Sequence, residues 1–182
     1  MAEYTSCIMT ELGRKLIAKA IAGTATIQFT KMCTSAASYT ESQAKALTSL
    51  NDIKQTELIS TGAKLNDTSV SVKAVFTNEK VETMYFIRTI GVYAKDTQGQ
   101  EILYAVFLGI SPEEMPDYNG SYPQNVIFNV VLTVGNADNA VIKIDGAAVA
   151  TQDDIKEINK KLTAYLSVEA DGVYINYEEV NK

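Results

Sequence analysis

Few residues in this chain are placed to act on a substrate. Glu113, Glu114 and Asp117 lie together, with Tyr118 and Tyr122 close by. Paired carboxylates can share acid and base roles in glycoside hydrolysis, and clustered carboxylates can ligate Ca²⁺. Adjacent carboxylates in a Pro- and Gly-bearing segment are ordinarily solvated, however. A tyrosine-bearing loop is better suited to contact, because tyrosine is enriched at interfaces. Asn136, Asp138, Asn139 and Asp145 have the composition of a calcium loop. Their spacing does not match the calcium-loop pattern, which also requires a distal glutamate. Asx turns at strand ends account for them. Cys7 and Cys33 read as two buried thiols, with a disulfide as the alternative.

None of the 182 residues is histidine or tryptophan. Without histidine there is no Ser-His-Asp triad and no Cys-His pair. No His-ligated metal site can be built, and two cysteines cannot complete a four-thiolate cage. Carboxylate pairs, lysine Schiff bases and oxygen-ligated cations remain open. The expectation is a protein that is not an enzyme, with no cofactor and no metal. The net charge of −6 argues against nucleic acid or an anionic membrane as partner. The charge is uneven. Residues 1–100 carry 11 Lys and Arg against 9 Asp and Glu, a balance of +2; residues 101–182 carry 5 against 13, a balance of −8. No apolar run approaches the ~20 residues of a membrane span. The first residues, Met1-Ala2-Glu3-Tyr4, lack the basic and apolar regions of a secretory signal.

The elements that must position these residues begin with a helix over about 11–22. Thr10 caps it, Glu11 suits its positive first turn, and Gly23 sits where a C′ glycine belongs. Leu12, Leu16, Ile17, Ala20 and Ile21 give it an apolar face. Ala25, Ile27 and Phe29 alternate with polar residues, as a strand does. Thr40-Glu41-Ser42-Gln43 has capping-box spacing, and Ala44, Leu47, Leu50 and Ile53 line one face of a short helix. Residues 56–60 read as a short strand. Val70, Val72, Ala74 and Phe76 alternate through another. Residues 84–94 and 101–108 flank a turn containing Asp96 and Gly99, which reads as a hairpin. Residues 125–134 and 140–144 read as a second hairpin by the same logic. Between the hairpins, 109–124 holds Pro112, Pro116 and Pro123. It reads as a long loop, and such loops are usually functional or mobile. Arg88 stands within an apolar strand, on a solvent face or in a buried ion pair.

Gly146-Ala147-Ala148-Val149-Ala150, a run of small residues, marks a boundary. Thr151 caps the helix that follows. Ile155, Ile158, Leu162 and Tyr165 are spaced 3, 4 and 3, the a-d-a-d of a heptad. Isoleucine at both a and d favours trimers or tetramers. The same pattern also suits a helix packed on its own domain. Val168-Glu169-Ala170 and Val173-Tyr174-Ile175 flank Asp171-Gly172 as a small hairpin. An isolated hairpin is marginal in water and must pack on something.

The succession of segments resembles a family. Met9-Thr10-Glu11-Leu12-Gly13-Arg14-Lys15-Leu16-Ile17-Ala18-Lys19-Ala20, then Gly23 and Phe29-Thr30-Lys31, is similar to the start of phage tail-fibre (tail-collar) N-terminal domains. Ile87-Arg88-Thr89-Ile90-Gly91-Val92-Tyr93-Ala94 resembles the central strand of that family. Glu101-Ile102-Leu103-Tyr104-Ala105, Val134-Gly135-Asn136-Ala137 and Val141-Ile142-Lys143-Ile144-Asp145 resemble its later strands. The resemblance covers roughly 5–146. Two departures are local: Thr89 stands where glutamate is common, and Met32-Cys33-Thr34-Ser35 where a glycine-containing turn is usual.

The resemblance implies a structural protein of a contractile tail, in a phage or a phage-derived bacteriocin, made in the bacterial cytoplasm. The expected fold class is α+β. Residues 1–146 form a mainly antiparallel β-sheet domain with an N-terminal helix, docking on the baseplate. Residues 147–182 form a short coiled-coil helix and β-hairpin. In such fibres a heptad segment after the head domain commonly starts a trimeric stalk. The resemblance therefore favours Ile155, Ile158, Leu162 and Tyr165 as a homotrimer interface. The chain length suits a short connector carrying a separate receptor-binding or fibre chain. Tyr118, Tyr122, Tyr174 and Ile175 are then the candidate partner-binding residues. The alternative is a receptor-binding protein that contacts surface saccharide through Tyr118 and Tyr122.

Overall fold

The structure, a computed structural model, describes residues 2–121, 123–134, 140–142, 166–169 and 172–175, the last three stretches by backbone alone. The chain divides into two compact units, Met1–Ala148 and Val149–Lys182. The expected heptad residues Ile155, Ile158, Leu162 and Tyr165, together with Tyr122, lie outside the described residues.

The first unit is mostly antiparallel sheet. It opens with β1 (Glu3–Tyr4), β2 (Ile8–Met9) and helix α1 (Glu11–Ile21). Then come β3 (Ile27–Ser35), helix α2 (Glu41–Ala46), β4 (Ile53–Leu58), β5 (Thr61–Asn66) and β6 (Ser69–Thr77). The rest of its described elements are β7 (Tyr85–Lys95), β8 (Glu101–Met115), β9 (Asn125–Thr133) and β10 (Ala140–Ile142). The larger sheet has the order β1-β8-β7-β3-β10, with β2 also on β8 and β4 also on β3. The smaller sheet has the order β5-β6-β9.

The larger sheet is buried on both faces. One packs on the inner face of the smaller sheet: Val70, Val72, Ala74 and Phe76 of β6 and Phe128, Val130 and Leu132 of β9 meet Phe29, Ile90, Val92 and Phe107. Leu16 and Ala20 of α1 join the same core. The other face carries Cys33, Tyr93, Leu103 and Val106 against Ala44 of α2 and Leu50. The β6 alternation falls as expected, with its four apolar residues fully buried.

Helix α1 is fastened at its start. The Thr10 hydroxyl accepts from the Gly13 N–H (3.0 Å) and donates to the Leu103 carbonyl (2.6 Å), while the Thr10 N–H reaches the Tyr104 carbonyl (3.1 Å). That carbonyl sits in a bulge. Val92 pairs with Ala105 and Tyr93 with Leu103, so Tyr104 has no opposite number. Gly13 is buried there, and a Cβ on it would overlap the Tyr104 carbonyl. The helix ends before Gly23, whose φ of +70° is readily adopted only without a side chain. The buried stripe is Gly13, Leu16 and Ala20; Ile21, expected on it, is 62% exposed.

Three expectations need correction. Helix α2 has its capping box, but it stops at Ala46. Leu50 is buried from the segment that follows, and Ile53 starts β4. Residues 109–115 are not loop: β8 runs on to Met115. Proline is tolerated there because the strand bulges. Between the pairs Ile87–Glu113 and Thr89–Leu108, β7 has one residue where β8 has four. Strands β9 and β10 are not a hairpin. The half-buried β9 pairs with β6, whereas β10 pairs in parallel with Ile27–Phe29 of β3, beside the stretch of that edge taken by β4. Met32–Ser35, which departs in sequence from the family's usual glycine-containing turn, continues β3.

In the second unit, β11 (Leu166–Glu169) and β12 (Gly172–Ile175) pair antiparallel, with Glu169 opposite Gly172. The two expected strands do pair, but Gly172, expected in the turn, stands in β12.

In an exposed helix interior, Gly→Ala gains about 1 kcal/mol. For Gly13→Ala the overlap reverses the sign, and a loss of about 1–3 kcal/mol is expected. A lower urea midpoint at unchanged slope is the readout; a higher midpoint would refute the docking described.

Candidate interaction surface

The carboxylates singled out from the sequence do not converge. Glu113 lies opposite Ile87 and Glu114 opposite Phe86, so their side chains leave opposite faces of the sheet. Asp117 is exposed beyond the strand. Among the described residues, no three His, Cys, Asp or Glu side chains gather as metal ligands do. Arg88 is on the solvent face. Thr89, standing where the family commonly has glutamate, is buried and donates to the Ala37 carbonyl at 2.8 Å. The candidate calcium-loop residues Asn136, Asp138, Asn139 and Asp145 lie outside the described residues.

The segment after β8 is anchored. Buried Asn78 donates to the Asp117 carbonyl (3.3 Å) and accepts from the Gln124 N–H (2.7 Å), and its own N–H reaches the Gln124 carbonyl (3.0 Å). The Tyr118 N–H reaches the Val81 carbonyl at 2.8 Å, and Tyr118 itself is half-buried. Sequence reasoning missed Asn78, because nothing local marks a residue whose partners lie about forty positions away. Tyr174 and Ile175 fall in β12 opposite Ser167 and Leu166.

A second missed residue is Tyr4. Its hydroxyl donates to the Ile87 carbonyl (2.7 Å) and accepts from the Glu113 N–H (3.2 Å), closing the end of the β8 bulge. β1 pairs with the bulged part, Tyr4 opposite Gly109 and Glu3 opposite Ser111. The Tyr4 ring meets Phe128 edge-on at 5.5 Å. Both thiols are free, as the first of the two sequence readings has it; Cys33 is buried and Cys7 half-buried.

Between Tyr4–Cys7 and the Phe128–Val131 stretch of β9 lies a cleft of about 370 Å³, floored by Ile90 and Phe107. Ile127 and Val131, flanking it on the outer face of β9, are 50% and 51% exposed. A second, polar cleft of about 390 Å³ lies where β4 meets residues 80–85. There Gln55 is fixed between the Tyr85 hydroxyl (2.7 Å) and the Thr77 carbonyl (2.6 Å), and Lys54, Glu57, Lys80 and Glu82 line it. No described helix is long and apolar enough to cross a membrane. What the surface offers is contact, and the edge strands β4, β5 and β9 carry exposed Ile53, Leu58, Leu65, Ile127 and Val131.

Burial pushes the Tyr4 phenol from 10.0 up to about 12, partly offset by the Glu113 N–H. It pushes the Cys7 thiol from 9.0 up to about 11, partly offset by the Thr133 backbone. In the window between ordinary and folded values, the unfolded chain has lost protons the native protein keeps. Stability therefore falls as pH rises. Urea midpoints should hold up to about pH 9 and then decline toward pH 12. Burial also pushes the Cys33 thiol up, so replacing Cys7 by Ser should lessen the earlier part of the decline without abolishing it, and a midpoint flat to pH 11 would contradict these burials.

The comparisons agree with the resemblance in the sequence. The family model described as phage tail-collar fibre protein, N-terminal, matches residues 1–154. No curated protein and no solved structure matches the chain. A match over most of the length, on a mostly antiparallel domain with a capped helix near its start, places the function in the structure of a phage tail particle. The chain belongs to the phage tail-collar fibre protein N-terminal family.

Proposed function

We propose that this chain attaches a tail fibre or receptor-binding protein to the baseplate of a contractile phage tail or a phage-tail-like bacteriocin. The observation that carries the reading is the family match over 1–154. Residues 1–146 act as the attachment domain, and 147–182 as the oligomerisation and joining segment. Ile155, Ile158, Leu162 and Tyr165 form the core of a homotrimer. Their 3-4-3 spacing supports this, since heptads with isoleucine at a and d favour more than two strands. Tyr174 and Ile175 belong to the joint with the next chain. A two-stranded hairpin gains stability when something covers it, which supports that role. The excess of acidic residues in 101–182 falls on the half that holds both contacts.

Light scattering of the full chain at micromolar concentration tests the assembly. A multiple of three chains is expected, falling below three on Ile158→Asp, because an unpaired carboxylate in a helix seam is costly to bury. A strict monomer unaffected by that change would remove the trimer. Attachment is tested by mixing the protein with fibreless particles, which should take it up at the baseplate. Binding of the isolated protein to intact host cells, lost on replacing Tyr118 and Tyr122, would instead favour saccharide recognition.

A further inference from the structure

Strand β9 is an edge without the usual defences. Native edge strands carry charges, prolines or bulges that discourage pairing with another chain. Residues 125–133, Asn-Val-Ile-Phe-Asn-Val-Val-Leu-Thr, contain no charge, proline or glycine. The ladder to β6 runs in unbroken register from Ser69–Thr133 to Thr77–Asn125. By contrast, the ladder of β5, the other edge of this sheet, shifts between Lys64 and Asn66, and β5 carries Lys64.

The direction of the free backbone groups is fixed. Just beyond the two ends of the β6–β9 ladder, the Val134 N–H bonds to the Thr68 carbonyl (2.9 Å) and the Asn78 N–H to the Gln124 carbonyl (3.0 Å). Even-numbered β9 residues thus face β6, and odd-numbered ones turn their N–H and C=O outward. The outward Thr133 carbonyl is used, accepting from the Tyr104 hydroxyl at 2.6 Å. Among the described residues, the backbone groups of Ile127, Asn129 and Val131 meet no such partner. Asn129 and Val131 border the cleft of about 370 Å³, whose far wall, Tyr4-Thr5-Ser6-Cys7, is also without charge.

We propose that the β9 edge is a two-fold contact between two copies of this chain, paired antiparallel about Asn129. The sequence is self-complementary about that point. Asn129 meets the partner's Asn129, half-exposed Ile127 meets half-exposed Val131, and Phe128 meets Val130. An isologous contact places a patch against itself, so charges near its axis would face their like. Here there are none, which suits a second copy of this chain. The Asn129 Oδ1 already accepts from Ser71 Oγ at 2.5 Å, which leaves its amide N–H groups for the partner. This contact goes beyond the trimer proposed above and uses a different surface.

The experiment is thiol cross-linking of the full chain in a Cys7→Ser background. Opposed residues of an antiparallel pair bring their Cβ atoms to about 4.5–5.5 Å. Asn129→Cys should form a covalent dimer on mild oxidation. Ile127→Cys, facing Val131 rather than itself, should not. No dimer from Asn129→Cys, or equal cross-linking of both variants, overturns the proposal. Light scattering separates this contact from the trimer. With Ile158→Asp in place the expected mass is two chains, and adding Val131→Lys should weaken the dimer at least tenfold. A single-chain mass for Ile158→Asp alone at 100 µM overturns the two-fold contact and leaves the trimer standing. An unweakened dimer with Val131→Lys also overturns it.

Discussion

The bulge at Tyr104 holds the first unit together. An extra residue in β8 turns one carbonyl out of the ladder, where it takes the Thr10 N–H at the cap of α1. The Tyr104 ring is fully buried and meets Phe29 edge-on at 5.1 Å. Its hydroxyl crosses to the Thr133 carbonyl on the smaller sheet. One residue thus ties the helix, the larger sheet and the last strand of the smaller sheet. A buried polar group left without a partner costs more than its bond contributes, so these three attachments must form together. The absence of a side chain on Gly13 belongs to the same constraint.

With the interior fixed in this way, the two sheets differ in what they leave outside. The larger one is covered on both faces, and its β3 edge is shared between β4 and β10. The smaller one has a buried inner face and an outer face bearing Ile127 and Val131. The candidate surface is therefore made of strand edges and backbone groups, with little in it that resembles a catalytic pocket. That suits a structural component of a phage tail.

Much of the fold could be read from periodicity. The α1 cap, the α2 capping box, the β6 alternation and the β7–β8 hairpin each depend on neighbours within a few residues. What escaped depends on distant partners. The extension of β8 through Pro112 is stabilised by Tyr4, more than a hundred positions earlier. The β9–β10 pairing looked like a hairpin because both flanks of Gly135–Asn139 are strand-like, yet sheet membership is decided by which edge each strand finds. The surface residues were legible only as types. Tyr118 reads in the sequence as an aromatic in a loop, whereas the bond that pins its backbone to Val81 depends on a distant partner. The self-complementarity of 125–133 is present in the sequence, but it means something only once one side of β9 is seen to meet no other strand among the described residues.

The attachments of the first residues also bear on how the chain is made. Tyr4, Thr5 and Thr10 find their partners between Ile87 and Glu113. At translation rates of about 5–20 residues per second, the opening segment waits several seconds before those partners leave the ribosome. Through that interval the first helix has a cap but no sheet to lie on, and a helix of eleven residues is marginal alone. The unit is thus closed late, by its oldest residues, and its edges become fixed for assembly only when the beginning of the chain returns to its middle.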